Sequence, residues 1–221
     1  MQRLSDLAEG QWGLFTSQQA HRSGVGWSSL NFLHKEGLVD RVGHGVYRVR
    51  AAGEPDHLAL RAAWLRLDPD KPAWGRLDQP SVALVSHASA ASMYGVGDLR
   101  ADVHEFTLPV RRQTSRPDVR LHRATVPDRF RLILHGLPIT GAAWMIRDLL
   151  ADHVDPTQVA EITAEVVDKV FDYPPVVAQT IAPYATRFGL ATGDGLGLLD
   201  HLLTLARYRD RDGMLALARD A

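Results

Sequence analysis

The sequence predicts an α+β protein: an N-terminal winged helix-turn-helix, then a mixed α/β domain, then a helical C-terminal region. Three observations predict it. The first fifty residues run helix, helix, turn, helix, hairpin. Two β-prone runs, 103–109 and 119–124, flank a basic stretch. From Asp155-Pro156 onward the chain is helix-like, with breaks at Tyr173-Pro174-Pro175 and Gly189. Boundaries are expected at 1–52, 53–150 and 151–221.

Each element has a local reason. Residues 4–9 read as a short helix that stops at Gly10, followed by an apolar stretch, Trp12–Phe15. Thr16 or Ser17 is a good N-cap for a helix through Gln18-Gln19-Ala20-His21-Arg22. Gly24-Val25-Gly26 breaks it, and a third helix spans about Trp27–Glu36, ending at Gly37. Residues 38–42 and 46–50 flank Gly43-His44-Gly45 and read as a hairpin. Gly53–Pro55 reads as a linker, and 57–67 as a helix ended by Asp68-Pro69. Residues 81–94 are apolar and rich in small side chains, with a helical second half. The runs 103–109 and 119–124 are strands joined by a basic turn, and 129–135 is a further strand. Thr140 caps a helix to Ala151. The last region holds helices over 159–171, 175–189 and 196–217.

The chain has 221 residues, 45% hydrophobic and 23% charged, an ordinary globular composition. It has no cysteine, which excludes disulfides and thiolate metal sites. The apolar runs are too short to span a bilayer, and the N-terminus lacks a basic-then-apolar leader pattern. A cytoplasmic protein without membrane contact is expected. The net charge of −1 hides an asymmetry. Residues 1–50 carry six Lys/Arg against four Asp/Glu, and 107–135 carry seven against two, while 136–221 carry seven against twelve. Different partners for the two ends, or uneven solvated faces, would give this pattern.

On a helical wheel with Trp27 at zero, Leu30 falls near 300° and Leu33 near 240°. Asn31, Lys35 and Ser28 fall at roughly 40°, 80° and 100°, with Phe32 at the margin. One stripe docks on the protein, and the other offers donors and acceptors to base edges and phosphates. The expected DNA contacts are Ser28, Ser29, Asn31 and Lys35 on this helix. Arg41, His44 and Arg48 join them on the hairpin, and Gln18 and Gln19 on the helix before. The helix follows glycines, so its free N–H groups suit a phosphate. The other reading of the same fold is a module that binds only protein.

Three blocks carry a resemblance: "GLFTSQQAHRSGVGWSSLNFLHKEGLVDRVGHGVYRV" (13–49), "VSHASAASMYGVGD" (85–98), and "HEFTLPVRRQTSRPDVRLHRA" with "GLPITGAAWMIRDLL" (104–124 and 136–150). In this order they resemble the AbiEi family of antitoxins from type IV toxin–antitoxin systems, actinobacterial type. The resemblance implies a winged helix that represses its own operon. It also implies a later region that counteracts a nucleotidyltransferase-type toxin, without requiring a stable complex. Ser28, Asn31 and Lys35 would then read an operator, an inverted repeat bound by a homodimer. Residues 151–221 match no motif of the family.

No enzyme, cofactor, metal site or catalytic residue is expected. His87 and His122 read as structural hydrogen-bonders, and no ligand pair has a metal-motif spacing. Gly193-Asp194-Gly195-Leu196-Gly197 has the wrong glycine spacing for a phosphate loop and reads as a flexible turn. Asp148, Asp152 and Asp155 read as a solvated helix end. The basic segment 111–123 reads either as an extension of a nucleic-acid or acidic-protein footprint, or as a charged hairpin turn guarding a sheet edge. A stand-alone transcription regulator with a ligand-binding or dimerisation domain is the alternative to the antitoxin, and an enzyme acting on nucleic acid is a third class.

Overall fold

The computed structural model describes residues 2–219 and is mixed α+β. The chain divides into two compact units, Met1–Ala83 and Leu84–Ala221.

The first unit begins α1 (Gln2–Glu9), β1 (Leu14–Thr16), α2 (Ser17–Arg22), α3 (Trp27–Lys35), β2 (Val39–Gly43) and β3 (Val46–Val49). This order is consistent with a winged helix-turn-helix. The three strands form one antiparallel sheet in the order β1-β3-β2, with a bulge between Arg41 and Gly43. The apolar stretch before α2 is therefore a third strand, paired on the far side of β3. Leu4, Ala8, Phe15, Ala20, Leu30, Val39, Tyr47 and Val49 form the core, and Leu7, Val25 and Leu33 pack against it.

Thr16 caps α2 with a reciprocal capping box: its side chain accepts from Gln19 N–H, and Thr16 N–H donates to Gln19 Oε1 at 2.9 Å. Gln19 is only 3% exposed. Its amide also exchanges hydrogen bonds with Gln11 and donates to Lys71 O at 2.9 Å. Gln11 Oε1 in turn accepts from Ala73 N–H at 2.8 Å. These bonds tie residues beyond 52 to the first unit. So does α4 (Leu58–Leu65), which packs on β1 and β2. The compact first unit thus runs past residue 52, through Ala83.

The second unit holds a five-stranded sheet, built from β4 (Leu84–Val85), β5 (His104–Leu108), β6 (Val119–Arg123), β7 (Arg131–Leu134) and β8 (Leu137–Thr140), in the order β6-β5-β4-β8-β7. Its helices are α5 (His87–Tyr94), α6 (Ala142–Ala151), α7 (Pro156–Asp168), α8 (Pro174–Ile181), α9 (Gly195–Leu205) and α10 (Arg211–Arg219). Of the C-terminal helices, α7 and α8 pack onto α6, and α9 and α10 pack onto α8.

Four local expectations change. β5 and β6 pair in parallel rather than as a hairpin, and residues 109–118, when extended, can reach back along the length of β5. Thr140 ends β8, with its hydroxyl facing Val85 O, and Gly141 caps α6 without a side-chain bond. The helix expected over 196–217 breaks after Leu205, where Arg207 takes a left-handed φ of 53°. Gly195 is a packed helix start rather than a flexible turn: Asp194 caps α9, and a Cβ on Gly195 would sit 2.0 Å from Ala178 O.

Candidate nucleic-acid interface

The outer face of α3 is open. Ser28, Ser29, Asn31 and Lys35 are exposed, Leu30 is buried behind them, and Leu33 packs against the core. Two large apolar side chains share the open face, Trp27 at 68% and Phe32 at 60% exposure. The helix starts at Gly26 with no side-chain cap, which leaves its first-turn N–H groups available to an anion.

The hairpin beside it divides its cations in two. Arg41 and His44 are exposed at the wing. Arg48 is held inward: it pairs with Asp40 at 3.1 Å and Glu54 at 2.7 Å. Asp40 also holds Arg50 at 2.7 Å. The Arg50 hydrogen bond first, and the Arg48 bond second, hold the Asp40 carboxyl down at about 2. Of the expected contacts on the preceding helix, Gln18 is exposed, whereas Gln19 is withdrawn into the capping network. Gln19 is thus buried, with its amide held by Gln11, Thr16 and Lys71, and Arg48 is paired with two carboxylates.

The second unit contains a polar cluster that sequence spacing does not reveal. In the β5/β6 register Glu105 pairs with Arg120 and Thr107 with His122, so all four side chains share one face. His87, the first residue of α5, lies over that face with a left-handed φ of 52°. The His87 and His122 rings stack at 3.6 Å between centroids. Asp152, just past α6, lies 3.9 Å from His87 Nε2 and from His122 Nδ1. His87 and His122, each read from the sequence as a structural hydrogen-bonder, lie side by side in one polar cluster, with His87 Nδ1 2.9 Å from Ser86 Oγ. Burial first, and the adjacent His122 second, push His87 down to about 4.

Asp148 is not on a solvated face either. It is buried on α6, with Oδ1 accepting from Arg147 and Oδ2 without a hydrogen-bond partner among the described residues. Burial raises it to about 7, against the opposing pull of Arg147. The folded state thus holds this proton more tightly than the unfolded chain. Its contribution to stability is full below pH 4 and is lost as pH rises through 7. We expect the stability of Asp148→Asn, measured by urea unfolding relative to the native chain, to improve steadily from pH 4 to 7. A pH-independent difference would contradict this.

The basic segment is also divided. Arg111 and Arg112 are exposed, Arg116 pairs with Asp118 at 2.5 Å, and Arg120 reaches Glu105 at 3.3 Å. Its strand, β6, lies at an edge of the sheet, where charge discourages pairing with another chain.

No helix among the described residues is long and apolar enough to cross a membrane. No curated protein matches the chain. Residues 2–50 match the family described as "Transcriptional regulator, AbiEi antitoxin", and over this N-terminal segment the chain is similar to that family.

Proposed function

We propose that the chain is a cytoplasmic, non-enzymatic antitoxin that represses its own operon through the first unit and counteracts a nucleotidyltransferase-type toxin through the second. The observation that carries this reading is the exposed face of α3, with Ser28, Asn31 and Lys35, inside the family-matched segment. The α3 face enters the major groove, its N-terminal N–H groups and Arg41 meet flanking phosphates, and the wing tip at His44 approaches the neighbouring groove. Residues 1–50 carry only a modest cationic excess. Two copies on an inverted repeat supply the contacts that one copy lacks. Trp27 and Phe32 are apolar enough to meet thymine methyl groups from the same face.

The match is to a regulator and covers only residues 2–50, which supports a second reading: a stand-alone regulator with a ligand-binding second unit. Co-expression with the neighbouring toxin gene separates the two. The antitoxin reading expects growth to be restored by the full chain, and by a chain whose α3 contacts are removed. Unchanged toxicity in both cases would leave the regulator reading in its place.

A further inference from the structure

We propose that His87, Glu105 and His122 form a binding site for a divalent transition-metal ion of the Zn²⁺ class, with Asp152 3.9 Å from His87 Nε2. The inference is independent of the DNA-binding reading, because all four residues lie in the second unit.

The argument begins with donor chemistry. Each of the three residues offers one ligand atom, and these atoms lie within 4.8 Å of one another. Two imidazoles and one carboxylate are a set that Zn²⁺ and its neighbours accept, and that Mg²⁺ and Ca²⁺ do not favour. His122 Nε2 is buried, has no hydrogen-bond partner among the described residues, and stands 3.6 Å from Glu105 Oε1. That separation is too long for a hydrogen bond and close to the edge of a ligand tetrahedron around a zinc ion.

The surroundings orient each ligand. Ser86 Oγ accepts the Thr107 hydroxyl hydrogen at 2.9 Å and lies 2.9 Å from His87 Nδ1. When Nδ1–H donates to it, the lone pair of His87 is on Nε2, facing the cluster. Glu105 Oε2 accepts from Ala88 N–H at 3.0 Å, which leaves Oε1 toward His122. A cavity of about 440 Å³ opens on the site, lined by His87, Glu105, Arg120 and Asp152 among others. It gives an ion a path in and room for a water at the open position.

One group opposes the ion. The Arg120 guanidinium lies 3.3 Å from Glu105 Oε1 and 3.9 Å from Asp152 Oδ2, competing for the same carboxylates. Its side chain is 60% exposed and free to swing into solvent. The site is therefore expected to bind metal more tightly once that cation is removed.

The full chain, stripped of metal with a chelator, is titrated with Zn²⁺ against a chromogenic competitor, and separately with Co²⁺. One ion per chain is expected, with a Co²⁺ spectrum of four-coordinate type and with the His87 and His122 imidazole NMR signals shifted. His87→Ala and His122→Ala lose this binding. Ser86→Ala weakens it by about 10- to 100-fold, and Arg120→Ala strengthens it. No stoichiometric binding by the native chain would overturn the proposal, and so would binding that leaves the two imidazole signals unmoved. The spectroscopic readouts use the native chain, so they decide the matter even if a histidine variant fails to fold.

Discussion

Replacing Asn31 and Lys35 together by alanine lowers affinity for the DNA upstream of the gene by roughly 100-fold or more. A well-placed base contact is worth about 1–3 kcal/mol, and a Lys-phosphate contact adds a salt-dependent increment. Both side chains are exposed on a helix whose other face is fixed by Leu30, so their removal leaves the core intact. Loss of Lys35 also flattens the dependence on salt by about one counterion. Asp40→Asn moves the other way. It releases Arg50 from its carboxylate and leaves Arg48 held by Glu54 alone, so binding tightens and its salt dependence steepens. Equal affinities for all these variants in a fluorescence anisotropy titration would remove α3 and the wing from the interface.

Trp64→Ala destabilises the first unit by about 3–5 kcal/mol, the range for deleting a fully buried aromatic. Trp64 has no exposed surface, and its indole N–H donates to Ala83 O at 2.8 Å. The Arg76 guanidinium covers the ring at 3.7 Å, and the Trp12 ring meets it edge-on at 6.0 Å. Truncation opens a cavity, strands a carbonyl and leaves Arg76 buried without its platform. Trp64→Phe keeps most of the volume and costs less. Urea unfolding followed by circular dichroism measures both. A Trp64→Ala penalty under about 1 kcal/mol would mean that residues 53–83 are not part of the first unit's cooperative core.

What could be read from the sequence was local. The Thr16 cap, the glycine breaks around α3 and the apolar stripe of Leu30 and Leu33 act within a few residues, and they placed α2, α3 and the hairpin well. Long-range pairing was not legible. β1 looks like a loose apolar stretch until β3 pairs with it. Gln19 reads as a surface amide on a polar helix, but the capping box and the chain around Lys71 and Ala73 bury it. Arg48 reads as a phosphate contact because its acidic partner Asp40 lies across the hairpin.

The His87–Glu105–His122 cluster was hidden for the same reason. Its members are far apart in the chain, and only the parallel β5/β6 register sets them on one face under α5. A weak signal was present. Glu105 and Thr107, like Arg120 and His122, repeat polar groups at a spacing of two, so each strand shows one polar face.

Binding of the full chain to its own upstream DNA, followed over a salt series together with a footprint, tests the DNA-binding account most directly. The account predicts two protected half-sites about one helical turn apart, affinity that falls steeply with salt, and loss of protection when Asn31 and Lys35 are replaced. A chain that binds this DNA no better than an unrelated sequence, or whose protection survives that double replacement, would contradict it.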